Sequence, residues 1–151
     1  MAHPVKFLFI SVLVLSGIAG CAGTYEQAAE APAAAPAPSA AVTQALSEAG
    51  AAIKTAKNLD WIWRDTEAQF KAAEAAAQAG DEAKAVKLAN NAKFEAEAAV
   101  NQYYIEKAKP LLAALQTKRG LTAGEKAKAD AAAAALSKAR GKQAYEILSN
   151  S

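Results

Sequence analysis

The stretch from Ala85 to Tyr103 limits what this chain can fold into more than any other. Ala85, Leu88/Ala89, Ala92, Ala96, Ala99/Val100 and Tyr103 recur at three- and four-residue intervals, the spacing that lines up one face of an α-helix. Nearly every member of this stripe is alanine. Alanine is the strongest helix former, so local propensity and long-range pattern agree. It also has little surface to bury, because a buried methylene contributes only about 0.8 kcal/mol. Small faces let helices approach closely and leave few cavities of the size small molecules need. The expected fold class is therefore all-α: a thin or elongated alanine-rich helical bundle built on antiparallel helix hairpins.

Punctuation residues suggest where the helices begin and end. Val42, Leu46, Ala49 and Ile53 form a first stripe that should end near Lys57-Asn58. Two residues can cap the second helix: Asp60, or Thr66 through the capping box Thr66-Glu67-Ala68-Gln69. Asp60 is preferred, because it puts Trp63, Phe70, Ala73 and Ala77 on one face and makes Asp60/Arg64 and Glu67/Lys71 i, i+4 pairs. Gly80-Asp81 reads as a helix stop followed by a new N-cap, which makes a tight antiparallel hairpin. The third helix should run from Glu82 to Lys107, and Pro110 should open a short helix carrying Leu111, Leu112 and Leu115 that ends at Arg119-Gly120. Thr122-Ala123-Gly124-Glu125 is a further capping box, starting a helix from Ala123 to Arg140. Gly141 either breaks or bends that helix before Tyr145, Ile147 and Leu148.

The N-terminal region has a different character. A short positive start is followed by an apolar run from Phe7 to Ile18, too short for a span of roughly 20 residues but suited to a secretory signal. Leu15-Ser16-Gly17-Ile18-Ala19-Gly20-Cys21 resembles the bacterial lipobox. That resemblance implies cleavage of a lipoprotein signal peptide, residues 1–20, and acylation of Cys21. It also implies attachment to the outer membrane facing the periplasm, since Ala22 is not the aspartate that retains lipoproteins at the inner membrane. Two or three acyl chains anchor stably where one is marginal. Residues 21–41, broken by Pro32, Pro36 and Pro38, read as a flexible Ala/Pro linker, and residues 42–151 as the all-α periplasmic domain.

Processing would also narrow the available chemistry. The only histidine, His3, lies within the signal, and Cys21 would carry lipid. A mature chain of that kind lacks the parts of a Cys/His zinc site, a C-x-x-C-H haem attachment, or a Ser-His or Cys-His nucleophile. The sequence contains no G-x-S-x-G, S-x-x-K, Walker loop or G-x-G-x-x-G. The expectation is no catalytic residue, no cofactor, no metal and no enzymatic activity. Charge is uneven: residues 43–106 hold seven Lys/Arg against ten Asp/Glu, and residues 107–142 hold nine against two. The basic segment suits an acidic partner, anionic lipid headgroups or peptidoglycan carboxylates. Export argues against nucleic acid.

The only tryptophans, Trp61 and Trp63, stand two residues apart, followed by Arg64, Asp65 and Thr66. Large anchors suit a core short of bulk, while Trp and Arg are also the residues most enriched at interface hot spots. On a helix the two tryptophans point about 200° apart, so one should be exposed. Trp63-Arg64-Asp65-Thr66, the Ala-rich helix after it, Gly80-Asp81, and then Ala85, Leu88-Ala89 and Ala92 together resemble the SoxXA-binding protein family. The match covers roughly Ala45 to Val100. The family comprises small alanine-rich exported proteins that associate with the c-type cytochrome of thiosulfate oxidation. The second tryptophan and the chain beyond Tyr104 depart from its pattern. The resemblance implies a periplasmic protein partner of the SoxXA type, and the hot-spot residue types put the expected contact at Trp61, Trp63, Arg64 and Asp65. The alternative is a structural envelope lipoprotein or scaffold bound to peptidoglycan or other envelope proteins.

Overall fold

A computed structural model of the chain describes residues 37–150. The expected signal peptide (residues 1–20), Cys21, and Pro32 and Pro36 of the expected linker lie outside the described residues. The described chain is all-α, with helices α1 (Ala40–Asn58), α2 (Thr66–Gln78), α3 (Glu82–Thr117), α4 (Ala123–Ser137) and α5 (Gly141–Ser149). At 1.5 Å per residue the 36 residues of α3 span about 54 Å, and the other helices pack along this axis.

The first half of α3 carries α1 and α2. Ser39 N–H donates to the Glu82 carboxylate at 3.0 Å and Lys93 donates to Glu48 at 2.7 Å, so α1 runs parallel to α3. Beside them α2 packs antiparallel to α3, with Thr66 meeting Glu95 at one end and Ala76 and Ala77 clustering with Ala85 at the other. The seam is built of alanines: Ala49, Ala56, Ala73, Ala85, Ala89, Ala92 and Ala96 are wholly buried. Bulk comes from Val42, Ile53 and the partly buried Leu46, Ile62, Phe70, Val86, Leu88 and Val100. The second half of α3 carries α4 and α5 around Ala108, Ala135 and Ala144, with Leu136, Tyr145, Ile147 and Leu148 packed against them.

Several boundaries depart from the sequence expectation. Asp60 does not cap α2; it closes α1. Its φ is +51°, its N–H donates to Lys57 O, and Trp61 N–H donates to Ala56 O at 3.0 Å, the paired bonds of a Schellman turn. Gly80, with φ +76°, closes α2 in the same way, and Asp81 then caps α3 by accepting from Lys84 N–H. Ala139, with φ +53°, closes α4 likewise. With Gly120 at φ +72°, four of the described residues take the left-handed region, and only the two glycines announced it.

Pro110 does not start a new helix. It lies inside α3, where it lacks the N–H for the Glu106 carbonyl. The helix nevertheless continues to Thr117, with Ala108 just before the proline buried against Ala135 of α4 and Ala144 of α5. α1 begins at Ala40, two residues earlier than expected, because Ser39 supplies the cap. α4 does open with the Thr122–Glu125 capping box but ends at Ser137, short of the expected Arg140; the break is the Lys138–Arg140 turn, and Gly141 is the first residue of α5. Lys118 and the backbone and hydroxyl of Thr122 all donate to Glu125, which holds its carboxyl down at about 2.

Candidate partner-binding site at the middle of α3

The loop Leu59–Asp65 and the Lys138–Arg140 turn both approach α3 near its middle, and the aromatic residues gather there. Trp61 meets Tyr103 edge to face with centroids 5.8 Å apart, Tyr103 meets Tyr104 at 5.2 Å, and Tyr104 meets Tyr145 of α5 at 5.5 Å. Lys107 Nζ sits 5.5 Å from the Tyr103 centroid, a cation–π contact. Four rings thus run from the loop across α3 to α5. Edge-to-face pairs each add about 0.5–1.5 kcal/mol beyond area burial.

Four contacts hold the loop. The Schellman turn fixes its start, and Ile62 enters the cluster of Ile53, Ala56, Ala92 and Ala96. Lys57 donates to Glu67 at 2.6 Å across its base, which holds the Glu67 carboxyl below its ordinary range. Thr66 fixes its end: it is fully buried, its N–H donates to Trp63 O, and its hydroxyl donates to Glu95 at 3.0 Å. Gln69 also donates to Glu95. With its hydroxyl committed to α3, Thr66 is the first residue of α2 and not its cap; Asp65 stands at the cap position without a side-chain bond.

This arrangement corrects the expected split of the tryptophans. Trp63 does not share the Phe70 face, because the residues before Thr66 are not helical; the large residue that reaches the core from this loop is Ile62. Both tryptophans stay at the surface, Trp61 39% and Trp63 44% exposed. The expected Asp60/Arg64 pair is replaced by a loose Arg64–Asp65 contact at 3.6 Å, with the Arg64 side chain 94% exposed. Such an exposed pair contributes little, so both charges are free to meet something else.

Trp61, Trp63, Arg64 and Asp65 therefore sit together on one anchored loop. The sequence reading missed Tyr103, Tyr104, Lys107 and Tyr145. The i, i+4 spacing of Tyr103 and Lys107 was visible, but their proximity to Trp61 depends on residues 59–65 forming a loop, with α2 beginning only at Thr66. Among the described residues no group of three or more His, Cys, Asp or Glu is placed to hold a metal ion, and no helix is long and apolar enough to cross a membrane. Comparisons with protein-family models, curated proteins and solved structures find no match for this chain.

Proposed function

We propose that this chain is a non-catalytic binding protein, held at the outer membrane through acylated Cys21, that contacts a periplasmic protein through the Trp61–Asp65 loop. The observation that carries this reading is the loop itself. It spends four separate contacts on fixing its backbone while leaving two tryptophans and an arginine at the surface. A loop ordered in advance avoids part of the entropic cost of binding, and Trp and Arg are the side chains that most often dominate interfaces. The W-R-D-T and G-D resemblance supports a SoxXA-like c-type cytochrome of thiosulfate oxidation as the partner, with this chain as its accessory subunit.

The test uses the fact that both tryptophans of the chain lie in this loop. Titrating the lipid-free domain with a purified SoxXA-type cytochrome should quench tryptophan emission saturably, since haem would lie near the contact. Trp61→Ala and Trp63→Ala should each weaken binding by tenfold or more, on the order of 1.4 kcal/mol or above, with small changes in melting temperature. Unchanged emission at saturating cytochrome would reject that partner. The membrane part of the reading is checked separately: Cys21→Ser should abolish palmitate labelling, and normal membrane-bound maturation of that variant would reject the anchor.

A further inference from the structure

Away from the aromatic loop, α4 and α5 enclose a cleft of about 260 Å³ beside the turn that joins them. Its apolar side is formed by Ala131, Ala134 and Ile147, and its polar side by Lys138, Arg140 and Gln143. No acidic residue lines it. Among the described residues neither Lys138 nor Arg140 takes part in a salt bridge, whereas Lys109, Lys118 and Lys142 of the same basic segment pair with Glu106, Glu125 and Glu146. The larger groove between α1 and α3, about 410 Å³, differs in this respect. Its central charges, Glu48 and Lys93, already satisfy each other at 2.7 Å.

We infer that the α4–α5 cleft binds a peptide carboxylate: the side chain of a glutamate or aspartate, with an aliphatic neighbour, on an acidic segment of a protein partner. The chemistry of the lining selects this ligand. A guanidinium is a planar fork that matches a carboxylate through two parallel hydrogen bonds. Lys138 adds a second positive charge, and the Gln143 side-chain amide can donate a further bond. Two cations and no acid leave a net charge that one carboxylate would partly neutralise. The alanine and isoleucine side offers nothing to a hydrated inorganic ion but can cover the methylenes of a glutamate and the side chain beside it. This contact is separate from the Trp61–Asp65 loop and does not depend on the cytochrome assignment.

The experiment is an amide chemical-shift titration of the lipid-free domain with acetyl-Leu-Glu-Leu-amide, its Gln counterpart, and inorganic phosphate. The Glu peptide should produce saturable shifts confined to residues 131–147. Arg140→Gln and Lys138→Gln, both exposed, should each weaken it about fivefold, the upper range for a solvent-exposed charge pair. Lys126→Gln, an α4 lysine outside the cleft, should leave it unchanged. Equal binding of the Gln peptide would overturn the proposal, as would phosphate binding as tightly as the Glu peptide, which would leave an anion site that makes no use of the apolar side. An equal loss in Lys126→Gln would reduce the effect to diffuse charge. Displacement of the Glu peptide by anionic phosphatidylglycerol vesicles, but not by neutral ones, would reassign the surface to lipid.

Discussion

Replacing Gly141 with alanine is expected to destabilise the protein by about 2–4 kcal/mol and to loosen its C-terminal half while sparing the N-terminal half. Gly141 is the first residue of α5 and packs directly against α3. A β-carbon there would lie 2.4 Å from Asn101 O, 2.6 Å from Ile105 Cγ1 and 2.7 Å from Ile105 N. Two of those atoms belong to the backbone of a helix and cannot rotate away, so α5 itself must move. The movement would strain both bonds made by Asn101, whose Oδ1 accepts from Gly141 N–H and whose Nδ2 donates to Ala139 O, each at 2.8 Å. It would also lift Ala144 and its neighbours from Ala108 and Ala135. Ala139→Gly, two residues earlier, should act in the opposite sense and stabilise by about 1 kcal/mol, because alanine there holds φ +53°. Urea melts give both signs, and hydrogen exchange locates them. Faster exchange in residues 123–150 with unchanged exchange in residues 40–78 is expected for Gly141→Ala. A variant that melts like the parent would mean that α5 does not sit this close to α3.

These two positions also indicate how much of the fold could be read from the sequence. The stripe on α3, the Gly80-Asp81 turn and the Thr122–Glu125 capping box were all legible, because each is a local pattern with a local physical cause. The start of α2 was not. A left-handed residue is signalled by glycine, and Asp60 and Ala139 adopt that conformation without the signal, held by the paired Schellman bonds. The left-handed turn at Asp60 delays α2 to Thr66, whereas a helix opening at Asp60 would set the tryptophans on faces they do not occupy. Pro110 failed as a breaker for the reverse reason: its local penalty is outweighed by tertiary packing around Ala108.

The candidate site was legible as a set of residues and not as a geometry. Trp61, Trp63, Arg64 and Asp65 stood out by composition alone. The part of Thr66 did not, because a threonine followed three residues later by Gln69 reads as a cap. In the fold both side chains reach across to Glu95, 29 and 26 residues away. No local spacing rule contains that contact. It also explains why the W-R-D-T stretch can expose its first residues: the fourth residue fastens the loop.

In a bundle with so little bulk, the residue whose size matters most should be one of the smallest. Ala96→Leu is expected to cost about 2–3 kcal/mol, as added methylenes do in a closely packed core. Ala96 is fully buried among Ile53, Ala56 and Ala92, with Ile62, Phe70 and Val100 closing around them. A leucine there must push α1 away from α3 or displace Ile62, and moving Ile62 would disturb the loop that carries the tryptophans. Two residues away, Phe94 is 69% exposed, so Phe94→Ala should change stability by less than about 0.5 kcal/mol, with alanine's better helix propensity offsetting any lost contact. Matched urea melts of the two variants decide the matter. If Ala96→Leu were tolerated as easily as Phe94→Ala, the α1–α3 seam would not be a contact between alanine faces, and a loose core could not hold the Trp61–Asp65 loop in one position.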